Sequence, residues 1–329
     1  MKRILRSAVV MATAFSVAVL AACGSADNGD TNGDAPANGG ESSSEDFKVA
    51  VVLKTLTSEF WQNMKTGAEE KAAELDVTLD VYAANSEDDV EGQVALVENA
   101  ISQGYDAIGV APISNVNLNN AIAQATDAGI YVVNIDEPVD VDNLISLGGA
   151  VQAFITTDNV EIGKMAGEYI VDLIGTEGQV AIIEGKAGVS SGVDRRDGAE
   201  EAFTAAGLDI VESQPADWDR TKAFNLAQNY LNKYPDLKAI YAANDTMAMG
   251  AQEAVDNAGA DVVVVGTDGN SDAVESVEAG ELDATVAQDS AAVGAAAVEQ
   301  LLKLVTDKPE INPEAEVEQI RIPALLINE

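Results

Sequence analysis

Residues 49–82, VAVVLKTLTSEFWQNMKTGAEEKAAELDVTLDVY, hold the pattern that decides the fold. Val49–Leu53 is a continuous apolar run, and Val77–Tyr82 is rich in β-branched and aromatic residues. Between them, Phe60–Leu75 has the apolar spacing of an amphipathic helix. Strand, helix and strand in that order form a βαβ unit whose strands run parallel. Further runs follow at Ala107–Val110, Ile130–Ile135, Val180–Ile183, Leu208–Val211, Ala239–Ala242 and Val262–Val265. Helical patterns lie among them at Val90–Ser102, Ile162–Ile174, Ala199–Ala206, Thr221–Leu231 and Met247–Ala258. Continuous Val/Ile runs between helices predict an α/β fold with parallel strands covered on both faces. Eight or more such runs exceed one small open sheet, which leaves two doubly wound lobes or a single barrel.

Many runs end at a polar residue: Lys54, Asp136, Asn244 and Asp268. Ligands sit beyond the carboxyl ends of the strands in open sheets and in barrels alike, so these ends locate a site without choosing between the two folds. No Gly-x-Gly-x-x-Gly follows the first strand. EGKAG at 184–188 lacks the spacing of a phosphate loop and reads as a strand-to-helix turn.

The first 22 residues have another purpose. A basic start with Lys2, Arg3 and Arg6, an apolar stretch from Ser7 to Ala22 and the sequence LAAC at 20–23 form an export signal ending in a bacterial lipobox. Cleavage before Cys23 and lipidation of its sulfur are expected. Cys23 is the only cysteine, so no intrachain disulfide is available to hold the fold. Residues 24–46, GSADNGDTNGDAPANGGESSSED, are too polar to bury anything and read as a tether reaching roughly 25–30 Å as a random coil.

Loss of the signal lowers the basic residues from 18 to 15 against 56 acidic ones, a charge of −41. A surface this negative repels phosphate backbones and anionic lipid, so nucleic acid is not an expected partner. The chain contains no histidine. That excludes Ser-His-Asp and Cys-His hydrolases and removes the commonest metal ligand. No cofactor or metal is expected, and carboxylate-only chemistry remains as the enzymatic alternative.

Phe60 and Trp61 open the first helix and read equally as core aromatics. Trp218 lies in the polar stretch QPADWDR at 214–220, where an indole is either a surface anomaly or a binding face. Arg195-Arg196 stand in an arginine-poor chain within what reads as a charged turn, so Arg195 is not expected to be needed for folding, and one of the two is expected to pair on the surface with Asp194 or Asp197. Asp245 reads as a helix cap. Asp136 and Glu137 are adjacent, and consecutive extended residues point to opposite faces. One is therefore expected to accept from a ligand and the other to pair with Lys54.

These stretches resemble the sugar-binding proteins of the ribose transport family, which are periplasmic binding proteins of type I. The resemblance rests on VVLKTL (51–56), Phe60-Trp61, APISNVNL (111–118), VNIDE (133–137) and TTDN (156–159). It continues through EGKAG, Ser213–Arg220, ANDTMAMG (243–250), GTDG (266–269) and TVAQ (285–288), covering residues 47–329. It implies two lobes joined by three crossing strands near Thr157, Gln288 and Gln319–Ile322. One lobe would hold 47–157 plus 289–319, the other 158–288 plus 320–329. It implies stacking by Phe60, Trp61 and Trp218, and polar contacts from Lys54, Asp136, Glu137, Arg195, Asn244, Asp268 and Gln288. Lys54 and Asp136-Glu137 point to the allose-binding branch. Ser58-Glu59 stands where Asn-Pro is usual, so a sugar contact from Ser58 is lost, altered or bridged by water.

The expected function is capture of a neutral monosaccharide, D-allose before ribose or xylose, and its delivery as a lipid-anchored monomer to the permease of an ABC importer. A sensor feeding a chemoreceptor or kinase would use the same cleft. A surface glycosidase would assign its two carboxylate roles to Asp136 and Asp268. A transcriptional repressor of this fold is opposed by the export signal and by the lack of a DNA-binding head.

Overall fold

The computed structural model describes residues 47–328. The export signal, Cys23 and the tether lie outside those residues. The chain runs β1 Lys48–Leu53, α1 Glu59–Glu74, β2 Thr78–Ala83, α2 Val90–Ser102, β3 Ala107–Val110, α3 Asn119–Asp127, β4 Tyr131–Ile135, α4 Val141–Ser146 and β5 Ala153–Thr157. It continues α5 Asn159–Ile174, β6 Gln179–Glu184, α6 Ser190–Ala206, β7 Asp209–Pro215, α7 Arg220–Lys233, β8 Leu237–Ala242 and α8 Asp245–Ala258. Then come β9 Val263–Asp268, α9 Ser271–Glu278, β10 Ala284–Gln288, α10 Ser290–Asp307, β11 Glu318–Ile322 and β12 Ala324–Ile327.

These strands form two six-stranded sheets, ordered β11-β5-β4-β3-β1-β2 and β12-β10-β9-β8-β6-β7. The barrel alternative is thereby removed. Pairing is parallel throughout except between β10 and β12. In each sheet the order reverses beside the first strand of the lobe, β1 or β6, which creates a crevice at the strand carboxyl ends.

The continuous apolar runs follow from burial on both faces. Val49, Val51 and Leu53 of β1 pack with Val293 and Leu301 of α10, whereas Ala50 and Val52 pack with Val97 of α2 and Ile122 of α3. In the second lobe Ile240 and Ala242 of β8 face Met247 and Ala251 of α8, and Ala239 and Tyr241 face Ile162 of α5 and Phe203 of α6. A strand covered on both sides has no solvent face on which to alternate.

The chain passes between the sheets three times, after β5, after β10 and between β11 and β12. The last passage falls at Pro323, because β11 stays in the first sheet through Ile322. The resemblance placed this crossing near Gln319–Ile322, with the lobe boundary between residues 319 and 320. Arg321 of β11 pairs with Asp158, the residue that caps α5 at the first passage. Among the described residues no helix is long and apolar enough to cross a membrane.

Candidate functional site

A cavity of about 510 Å³ lies where the strand ends of both lobes meet. Lys54 follows β1 and is only 3% exposed. Its Nζ lies 3.5 Å from Asp136 Oδ2 and 3.6 Å from Glu137 Oε2. Burial pulls the Lys54 pKa down, but Asp136, Glu137 and Glu87 outweigh it and hold the ammonium above its usual value. Burial pushes Asp136 up, with Lys54 pulling against it. Asp136 has φ 63°, a left-handed conformation uncommon for a residue with a Cβ. Its N–H donates to the Ile155 carbonyl at 2.8 Å, and its own carbonyl accepts from Thr156 Oγ1 at 2.9 Å. These bonds hold the kink that separates the two acids. Asp136 lines the cavity, whereas Glu137 accepts from Ser190 N at 2.6 Å in the opposite lobe.

In the second lobe Arg195 organises the floor. Its Nε donates to Asn159 Oδ1 at 2.9 Å, and its Nη1 donates to the Ala243 carbonyl at 2.7 Å and to Asp268 Oδ1 at 3.1 Å. Gln288 Nε2 donates to the same Asp268 oxygen at 2.8 Å. Burial pushes the Asp268 carboxyl up to about 6, with Arg195 and Gln288 opposing the rise. Behind it Asp245 accepts from Asn270 N at 2.8 Å and from Thr285 Oγ1 at 2.7 Å. Burial, then the neighbouring Asp268, push Asp245 well above the usual carboxylate range. The depth of Arg195 depends on Gly163 of α5, since a Cβ there would lie 1.9 Å from the Arg195 carbonyl oxygen. Only a residue without a side chain lets α5 and α6 approach this closely.

Aromatic rings border the polar groups. Phe60 and Trp61 meet edge to face with centroids 4.9 Å apart, and Trp61 Nε1 donates to Glu87 Oε1 at 3.0 Å. Asp217 and Trp218 both have left-handed backbones, φ 54° and 62°, between β7 and α7. The indole covers Gly185, where a Cβ would stand 1.9 Å from the ring.

Of the residues expected at the site, Lys54, Ser58, Phe60, Trp61, Asp136, Arg195, Trp218, Asn244 and Asp268 line the cavity. Glu137 and Gln288 stand behind its lining, in contact with Lys54 and Asp268 respectively. Three expectations need correction. Arg195 is a buried helical residue of α6 rather than part of a charged turn; its neighbour Arg196 makes the surface pair with Asp197. Asn244, not Asp245, caps α8, accepting from Met247 N at 2.9 Å. Lys54 pairs with both acids, not with one. Sequence reasoning missed Lys186, Glu87, Asp88 and Asn270, which also line the cavity. The signal for Lys186 was its place just beyond β6, in a segment read only as a turn.

Residues 49–309 match the family model described as a periplasmic binding protein domain. The chain is 52% identical over 264 residues to the D-allose-binding periplasmic protein of Escherichia coli strain K12, covering 79% of this chain and 84% of that protein. It is 34% identical over 264 residues to the ribose import binding protein of Bacillus subtilis strain 168, covering 80% and 83% respectively. A solved ABC transporter solute-binding protein from Actinobacillus succinogenes with bound D-allose superposes with a TM-score of 0.80 at 35% identity, covering 86% of this chain and 97% of that one. A solute-binding protein from Bacillus halodurans C-125 with bound myo-inositol gives 0.75 at 28% identity, covering 86% and 94%. On two paired lobes and a match across most of its length, this chain belongs to the periplasmic binding protein family.

Proposed function

We propose that this chain captures one neutral monosaccharide, D-allose, and delivers it to the permease of an ABC importer. Its relatives are transport binding proteins, not enzymes, so the glycosidase alternative falls away. The observation that carries the reading is a ring of charged groups between aromatic faces: Lys54 and Asp136 from one lobe, Arg195 and Asp268 from the other. Each sugar hydroxyl both donates and accepts. Carboxylates take the donated hydrogens, while the ammonium and guanidinium give to the oxygens. Phe60, Trp61 and Trp218 offer apolar faces to the C–H bonds of the ring. Asn244 contributes from the α8 cap, and Glu137 and Gln288 support Lys54 and Asp268 from behind. An epimer that misplaces one hydroxyl leaves a buried group unpaired, at about 1–3 kcal/mol each.

The identity of the sugar rests on the 52% match and on the D-allose-bound relative. Calorimetric titration with D-allose, ribose, xylose and myo-inositol tests it. D-Allose should bind most tightly, and preference for another member of the panel would replace it. Lipidation at Cys23 belongs to the same proposal, motivated by LAAC at 20–23. Cys23→Ser should release the protein from the membrane or leave the precursor uncleaved. A processed, membrane-bound variant would defeat it.

A further inference from the structure

Glu137 is fully buried and stands behind the cavity lining, and both of its oxygens accept from the backbone of the opposite lobe. Oε1 accepts from Ser190 N at 2.6 Å and Oε2 from Ser191 N at 3.4 Å, the first two residues of α6 in the opposite lobe. That helix lacks a cap of its own. Val189 stands at its N-cap and offers no side-chain acceptor, whereas Asp158, Asp219 and Asn244 cap α5, α7 and α8 of the same lobe. The first N–H groups of a helix need acceptors and carry about half a positive charge, so a carboxylate satisfies them on both counts. The same arrangement resolves the charge balance around Lys54, whose single ammonium faces two acids. The helix end supplies part of the missing positive charge.

We infer that Glu137 is a positioning residue for closure. Lying in the first lobe, it caps α6 of the second, and it sets the affinity for every ligand of the cleft without reading the pattern of hydroxyls. Other contacts also cross between the lobes: Glu59 accepts from Ser271 N and Oγ, and Lys186 donates to the Glu87 carbonyl and pairs with Asp88. Each of these is at least partly exposed, so water replaces them readily when the lobes part. The Glu137 carboxylate is itself wholly buried, and opening leaves it and a helix end to be rehydrated separately. A ligand that binds only the closed form has its apparent affinity scaled by the closed fraction, whatever its stereochemistry. Asp136 reads the sugar; Glu137 holds the lobes around it.

This inference rests on the sugar-capture reading, and Ser190→Pro tests it. Proline is tolerated at the first helical position, and Val189 already has the extended backbone (φ −93°, ψ 125°) that precedes proline. The change removes the N–H given to Glu137 and alters no residue lining the cavity. Affinities for D-allose and ribose should both fall about tenfold, as for a lost bond to a charged group, with their ratio unchanged. Glu137→Gln should do the same, and the two changes combined should cost little more than either alone. Unchanged affinity, or loss for one sugar only, overturns the inference; the second outcome would make Glu137 a ligand contact. X-ray scattering separates this from failure of the function itself. If the parent binds neither sugar, the capture reading fails, and the clasp then stands or falls on whether Ser190→Pro has a larger radius than the parent. Equal radii overturn it.

Discussion

Arg195 Nη1 donates to Asp268 Oδ1 at 3.1 Å while both side chains are almost wholly removed from solvent. The pair is as much part of the second lobe's frame as of its binding surface, because the same guanidinium also holds Asn159 and the Ala243 carbonyl. Contacts to α5, to the loop after β8 and to the end of β9 thus converge on one side chain.

Arg195→Ala should therefore damage the protein before any sugar is added. Removing one partner of a buried pair leaves the other uncompensated, which costs about 3–5 kcal/mol. Urea denaturation of the ligand-free protein should show a loss of this size, together with loss of sugar binding. A variant with the parental midpoint that fails only to bind would reduce Arg195 to a ligand contact.

The charged turn inferred for Arg195 failed for a physical reason. The buried face of α6 consists of Ser191, Gly192, Arg195, Gly198, Ala199, Ala202 and Phe203. Its first half has no apolar stripe, so only residues 199–206 read as helical. Small residues are buried there because α5 packs against them at backbone contact, as the close approach at Gly163 and Gly198 shows. The strands legible from the sequence were those with runs rich in branched apolar residues: sealed ones such as β1 and β8, and also the partly exposed edge strands β2 and β7, whereas the sealed β5, AFITT, was missed. β11 and β12 are half exposed, and β10 is built of small residues, so none gave a continuous apolar run; the crossings there came from the family resemblance. Strand-end polar residues gave Lys54, Asp136, Asn244 and Asp268 of the cavity lining. What they could not give is the left-handed turn at Asp136, which sends neighbouring acids to different tasks.

Trp218 separates backbone strain from stacking. Its φ of 62° suits glycine, and the indole packs directly against Gly185. Trp218→Ala and Trp218→Gly should each weaken sugar binding by about 2 kcal/mol or more, as expected for a buried aromatic anchor. The glycine variant should be more stable than the alanine one by about 1 kcal/mol, because alanine keeps the strained backbone. Thermal unfolding of the two sugar-free variants measures this. Alanine equal to or above glycine would show that the turn relaxes once the indole is gone.

Asp268 gives the site a dependence on pH with a definite sign. Its carboxyl rises from 3.8 to about 6 on folding, chiefly through burial. The folded protein therefore holds this proton more tightly than the unfolded chain, and the group's contribution to stability declines as pH rises from about 4 through 6. Sugar binding runs the other way. A hydroxyl that donates to Asp268 favours the carboxylate, so affinity should be complete above pH 6 and fall below it, by up to about tenfold per pH unit. Titrations near pH 5.5 in buffers of different ionisation enthalpy should reveal proton release on binding, and Asp268→Asn should abolish it. Proton uptake would reverse the assigned role.

Lys186 tests how much a rim contact contributes beside a buried one. Its Nζ donates to the Glu87 carbonyl at 2.9 Å and pairs with Asp88 across the cleft, but the Asp88 side chain is 86% exposed. The Lys186 contact lowers the Asp88 carboxyl below its usual range, so the charges interact. Exposed pairs of this kind nevertheless contribute no more than about 1 kcal/mol, because water and salt screen them and two mobile side chains must be ordered. Lys186→Gln should therefore weaken sugar binding by less than about fivefold at low salt, and the difference from the parent should shrink towards zero near 1 M salt, where the screening length is roughly 3 Å. The stability of the ligand-free protein should not change. A large, salt-independent loss would mean that Lys186 reaches the sugar itself, and the ring of charged groups would then have to be redrawn to include the EGKAG turn.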